Sequence, residues 1–188
     1  MKKRRVLSVV LAASMFAMLL TGCGGGNQGS AEGSQAAAIG QGVAEAESCI
    51  KIGVSGTPDL DPAIVNTGSS LIAAINIYDT LIFPSNEADE GVIPRVAEDW
   101  TISEDGLTYT FNLKKGIKFH NGDELTASDV VYSMDRLLTI GEGYAYIFTS
   151  YVEPGTTVAV DDYTVEFHLK QAYGPFINAL VRLYILNE

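Results

Sequence analysis

Two stretches of this chain alternate large apolar residues with polar ones at a period of two, and a tight turn breaks each in the middle. In the first, Trp100 and Ile102 lead into Glu104-Asp105-Gly106, and Tyr109, Phe111 and Leu113 alternate on the way back. In the second, Thr157 to Val160 precede Asp161-Asp162, and Tyr163, Val165, Phe167 and Leu169 alternate after it. A period of two puts every second side chain on the same face of a strand. Aspartate and glycine at the breaks are turn formers. The spacing therefore predicts two antiparallel hairpins, each with one face to be buried. Tyr109, Phe111, Phe119 and Phe167 are expected in the core that results.

The residues around the hairpins have a different period. Thr126 is placed to cap a helix, with Asp129 three residues on as a variant of the capping box. Val130, Val131, Met134, Leu137 and Leu138 then fall on one helical face. Pro175 fits the first turn of a last helix through Phe176, Leu180 and Leu183. Upstream, Ile50 to Val54 alternates and reads as a strand, Gly56 to Pro62 as a turn-rich break. Ser69 or Ser70 is expected to cap a helix through Ile72, Ile75 and Tyr78. Leu81 to Phe83 is a short apolar run, followed by a polar loop from Pro84 to Gly91. Lys114-Lys115-Gly116 and His120-Asn121-Gly122-Asp123 are further turns. Leu183 to Leu186 looks like a strand just beginning. Residues 49–188 are thus expected to be a cut chain, poorly folded by themselves because the apolar run at the end lacks sheet partners.

The first 48 residues cannot belong to a core. Met1 to Arg5 holds four basic residues, Val6 to Leu20 is apolar apart from Ser8 and Ser14, and Leu20-Thr21-Gly22-Cys23 follows. A basic region, an apolar region and small residues at a cut site describe a secretory leader over residues 1–22. The apolar run is shorter than the roughly 20 residues of a spanning helix, which weighs against an uncleaved anchor. Leu-Thr-Gly-Cys resembles the lipobox of bacterial lipoproteins. That resemblance implies cleavage before Cys23 and lipidation of Cys23, which would hold the protein to the outer side of the cell membrane. Two acyl chains suit an anchor, since one binds only marginally. Residues 24–48 are Gly, Ala, Ser, Gln and Glu with almost no large apolar side chain, and read as a flexible tether. Their Gly24-Gly25-Gly26 is not a phosphate loop, for no strand precedes it and no Gly-Lys-Ser/Thr follows.

Residues 1–22 hold four of the 12 Lys and Arg and none of the 23 Asp and Glu, so the remainder carries 8 basic and 23 acidic residues, a formal charge of −15. That balance argues against a nucleic-acid partner. After lipidation Cys49 stands alone, unable to form an internal disulfide, and reads as a small packing side chain. The two histidines, His120 and His168, lack the convergent partners a metal needs. Gly53-Val54-Ser55-Gly56-Thr57 misses the nucleophile-elbow pattern at its last position. The paired acids sit in turns, where their side chains bond the backbone. No cofactor, metal or catalytic residue is therefore expected. Tyr144, Tyr146, Phe148 and Tyr151 cluster after Gly141-Glu142-Gly143, a composition that suits either a ligand wall or a loop packed back on its own domain.

Four segments in order complete the reading: Ile93 to Trp100, Ser103 to Phe111, Leu113 to Gly122 and Leu125 to Ser133. Together with Leu60-Asp61-Pro62 and Tyr78-Asp79-Thr80-Leu81, they resemble the signature of the family 5 extracellular solute-binding proteins of ABC importers. The resemblance covers roughly Ile50 to Leu186. It implies an α/β fold, part of the first lobe of a two-lobed periplasmic-binding-protein-like clamp (type II, cluster C-like), with hairpins and short helices. It also implies a monomer that captures short peptides and hands them to a membrane permease with its ATPases. Thr67-Gly68-Ser69 would face the cleft with backbone groups, and Tyr144 would bring a ring to the ligand. A nickel complex, a sugar, haem or a signalling peptide are the other ligands of such folds. A secreted enzyme on an unrelated fold is the reading of a different class.

Overall fold

The structure, a computed structural model, describes residues 50–89 and 91–188. The expectations for the leader, for Cys23 and its tether, and for Cys49 concern residues outside these. In chain order the elements are α1 (Gly68–Ile77), β1 (Ile82–Pro84), β2 (Val92–Pro94), β3 (Ala97–Ile102), β4 (Thr108–Leu113), α2 (Ala127–Ile140), α3 (Ala145–Phe148), β5 (Thr157–Asp161), β6 (Thr164–His168) and α4 (Phe176–Ala179). A 3₁₀ turn (Leu180–Arg182) follows.

Both expected hairpins form, and β4 joins β6 to make one antiparallel sheet in the order β3-β4-β6-β5. The register sets Tyr109 opposite Phe167 and Phe111 opposite Val165. The two period-two patterns therefore meet on the same face, and a slip of one residue would turn both sets to solvent. On that face Phe111 meets Phe167 edge-on at 5.7 Å, and Phe176 of α4 lies 5.7 Å from Phe167 and 4.8 Å from Tyr109. Phe148 of α3 closes the group, 6.3 Å from Phe176. Phe111, Phe148, Phe167 and Phe176 are wholly buried. Each contributes about 1.5–3 kcal/mol by leaving water, with about 0.5–1.5 kcal/mol more for each well-oriented ring pair.

α2 packs against β5 and β6. Its start follows the capping pattern: the Asp129 carboxylate accepts from the Thr126 backbone N–H at 2.8 Å. Val130, Met134, Leu137 and Leu138 are buried as the spacing required, with Val131 half-buried at the margin. β1 and β2 form a separate two-stranded antiparallel ribbon.

Several expectations are corrected. Ile50 to Val54 forms no strand; the segment is unpaired, with Ile50 89% exposed. Alternation alone cannot make a strand without a partner edge, and none lies beside it among the described residues. The cap of α1 is Thr67, not Ser69 or Ser70: its Oγ1 accepts from the Ser70 N–H. Both serines turn inward instead, Ser69 donating to the Ser55 carbonyl at 2.8 Å and Ser70 accepting from the Asp59 N–H at 2.9 Å. The last helix is shorter than its apolar spacing suggested. It ends at Ala179 and tightens into the 3₁₀ turn, with Pro175 as the cap residue. Leu183 to Ile185 is buried but pairs only through a bridge between Tyr184 and Thr80 and a hydrogen bond from the Ile185 N–H to the Asp79 carbonyl.

Candidate functional site

The segment before α1 is fastened from three sides. Asp61 accepts two hydrogen bonds from Arg136 of α2, at 2.7 and 2.6 Å, and a third from the Ala63 N–H. Arg136 holds the Asp61 carboxyl below its ordinary value, the burial of the pair opposing it. Tyr78, at the end of α1, donates its hydroxyl to the Leu60 carbonyl at 2.8 Å. The third fastening is the glycine loop after α2. An added Cβ on Gly143 would stand 2.7 Å from the Ala63 carbonyl oxygen and 3.1 Å from the Val65 nitrogen. Only a residue with no side chain lets these two backbones approach so closely.

That contact brings the two segments chosen from sequence to one place. Tyr144 is half-buried and packs with Leu71 and Tyr78 on a small cluster of Val65, Ala74 and Tyr184. Leu71 and Ala74 belong to α1, whose first turn carries Thr67, Gly68 and Ser69. Thr67 and Gly68 are exposed, and no atom lies within 4 Å of a Cβ built on Gly68. Ser69 is buried with its hydroxyl committed to Ser55. The first intrahelical hydrogen bond runs from the Leu71 N–H to Thr67. The N–H groups of Gly68 and Ser69 precede it and remain as donors at the positive end of the helix. Tyr146, the other tyrosine on this loop, is 71% exposed.

Beside this turn the surface is concave. A depression of about 240 Å³ lies between α1 and β1, floored by Leu71, Ile75, Phe83 and Pro84 and bordered by Arg95, Arg182 and Tyr184. A second, of about 360 Å³, is lined by Ile77, Phe119, Ile185 and Leu186 among others. Tyr78 and Asp79 belong to both. Thr67, Gly68, Ser69 and Tyr144 line neither. Arg95 is held by Asp79 at 2.7 Å. The Arg182 guanidinium lies 5.0 Å from the centre of the Tyr144 ring, a cation facing an aromatic surface.

Sequence reasoning missed these arginines. Arg182 carried a signal, as the lone cation in an apolar run from Leu180 to Leu186. Arg136, the only basic residue of α2, carried a weaker one, since its partner is 75 positions away. No cluster of three or more metal-binding side chains occurs among the described residues. His168 lies 3.2 Å from Glu166 on the polar face of the sheet, away from the aromatic core.

Residues 91–187 match the family described as bacterial extracellular solute-binding proteins, family 5. A di/tripeptide-binding protein of Pseudomonas aeruginosa is 32% identical over 136 residues, covering 64% of this chain and 25% of the relative. A dipeptide-binding protein of Escherichia coli is 36% identical over 141 residues, covering 65% of this chain and 26% of the relative. Among solved structures, a periplasmic binding protein from Helicobacter pylori in complex with the peptide STSA superposes with a TM-score of 0.57 at 33% identity, over 69% of this chain and 28% of that one. The chain spans about a quarter of the length of the curated relatives it matches.

Proposed function

Because this chain belongs to the bacterial extracellular solute-binding proteins of family 5, whose members are binding proteins and not enzymes, we propose that it captures short peptides outside the cytoplasmic membrane. The observation that carries this reading is the identity above 30% to two relatives named for binding dipeptides or tripeptides. Delivery to an ABC permease and its ATPases, and tethering to the membrane through a lipidated Cys23, complete the proposal.

The geometry gives the reading a physical form. In this reading Thr67, Gly68 and Ser69 offer backbone donors where Gly68 leaves the approach open, and Tyr144 supplies a wall. An extended peptide has a carbonyl at every residue, so main-chain donors bind it without regard to side chain. Enclosure by a second lobe would exclude water and strengthen those bonds. The three fastenings on the Gly56–Val65 segment keep this face in one shape while the ligand changes.

Calorimetry of the protein as its host makes it, with a pool of dipeptides to pentapeptides, tests the reading. Saturable binding is expected. Tight binding of a sugar or a nickel complex with no peptide binding would overturn it. The anchor has a separate test: mass spectrometry of membrane-extracted protein should find a diacylglyceryl group on Cys23, and an intact Met1 terminus would refute it.

A further inference from the structure

The hollow between α1 and β1 has a chemical character that peptide capture in general does not require. Its floor is apolar and open to solvent: Ile75 is 53% exposed and Phe83 48%. Two guanidinium groups border it. Arg95 is neutralised by Asp79 at 2.7 Å and leans on the Phe83 ring. Arg182 has no carboxylate within 4 Å among the described residues and faces the Tyr144 ring. Tyr184 lies beside it. The hydroxyl of Tyr184 is buried without a hydrogen-bond partner, which is uncommon for a polar atom in a folded protein. Burial pushes its pKa up, and the neighbouring Arg182 offsets part of that effect.

An uncompensated cation beside an orphan hydroxyl, at the rim of an apolar hollow, is an incomplete ion pair. Resting on the peptide-binding reading above, we infer that this hollow is a subsite for a peptide residue with an apolar body and a carboxylate, the carboxylate held by Arg182. The depression of about 240 Å³ has room for a side chain. The body of that residue rests on Leu71, Ile75 and Phe83. Arg182 presents a planar fork that matches a carboxylate, and its guanidinium lies 5.0 Å from the centre of the Tyr144 ring. Arg95 adds little, because Asp79 already cancels its charge. The carboxylate comes either from the C-terminus of the peptide or from an acidic side chain.

Four peptides of one length separate the sources: an apolar peptide as free acid, the same peptide as C-terminal amide, and Glu-containing and Gln-containing versions of the amide. Each is titrated calorimetrically into the wild-type protein and into Arg182→Gln and Arg182→Lys. A charge-assisted contact at a partly exposed site is expected to favour the carboxylate-bearing member of one pair roughly ten- to a hundredfold in the wild type. Arg182→Gln removes that preference while leaving the affinity for the amide within about twofold, and Arg182→Lys restores part of it. A preference in the acid–amide pair assigns the C-terminus; one in the Glu–Gln pair assigns a side chain. Peptide binding with no preference in either pair, or a preference unchanged in Arg182→Gln, overturns the inference and leaves peptide capture standing. Failure of all four peptides to bind the wild type overturns peptide capture itself, and this inference with it.

Discussion

Replacing Gly143 by alanine should undo the contact that joins the tyrosine loop to the segment before α1. Two effects add. The residue has φ +53°, a left-handed backbone in which an L side chain costs roughly 1–2 kcal/mol. The new Cβ would also meet the Ala63 carbonyl oxygen at 2.7 Å and the Val65 nitrogen at 3.1 Å. Both are backbone atoms, so no side chain can rotate away, and the loop or the segment must move. The local strain of such a displacement is about 1–3 kcal/mol, giving a total of about 2–5 kcal/mol.

Gly141 provides the control, because it ends α2 with φ +71° while its Cβ would have nothing nearer than the Leu138 oxygen at 3.9 Å. Gly141→Ala should therefore carry the conformational part alone, about 1–2 kcal/mol. Urea unfolding of both variants beside the wild type measures the difference. Amide exchange localises it, since the Ile64 and Ala145 N–H groups, which donate to the Asp61 and Glu142 carbonyls on either side of the contact, should lose protection in Gly143→Ala but not in Gly141→Ala. Equal destabilisation by the two variants, with Ile64 protected in both, would refute the close approach as the reason for glycine at 143.

The remaining predictions concern the core, the ion pair and the proposed ligand face. Phe167→Ala removes the ring that touches both Phe111 and Phe176, and should destabilise the protein by about 3–5 kcal/mol in the same unfolding assay. Arg136 lowers the pKa of Asp61 from its ordinary 3.8, so the stability linked to this pair is present above that value and is lost as pH falls through the lower folded-state value. The gap in unfolding free energy between wild type and Arg136→Met should accordingly narrow below about pH 4, and a gap that stays constant to about pH 2 would count against the pairing. Gly68→Ala meets no neighbour in a helical position and should raise the melting temperature slightly while weakening peptide binding, because the methyl group stands where the ligand backbone would approach. Tyr144→Ala should weaken peptide binding by about 1–3 kcal/mol in calorimetry, the value of a side chain's lost contact area.

The division between what was legible and what was not follows sequence distance. The two hairpins, α2 with its Thr126–Asp129 cap, and the turns at Glu104 to Gly106 and Asp161-Asp162 could all be read from residues within a few positions of one another. Their signals are the period of apolar side chains and the local bonding of short polar ones, and both act before any distant contact exists. Tyr109, Phe111 and Phe167 were legible as core for the same reason, whereas Phe119, expected there too, is half-buried, and Phe148, read with the tyrosine loop, is wholly buried. Ile50 to Val54 shows the limit of that logic, since its alternation is as regular as that of β6 but no neighbouring edge accepts it among the described residues. The cap of α1 shows a second limit: Thr67, Ser69 and Ser70 are each chemically able to cap, and the choice fell to Thr67 because Ser55 and Asp59 claim the two serines. The site depended most on tertiary structure. Nothing near Gly143 in sequence announces Ala63 and Val65, nothing near Asp61 announces Arg136, and nothing near Tyr144 announces Arg182. A close backbone approach, an ion pair and a cation over a ring depend on where whole elements are packed, and the packing of the apolar faces decides that without regard to chain separation.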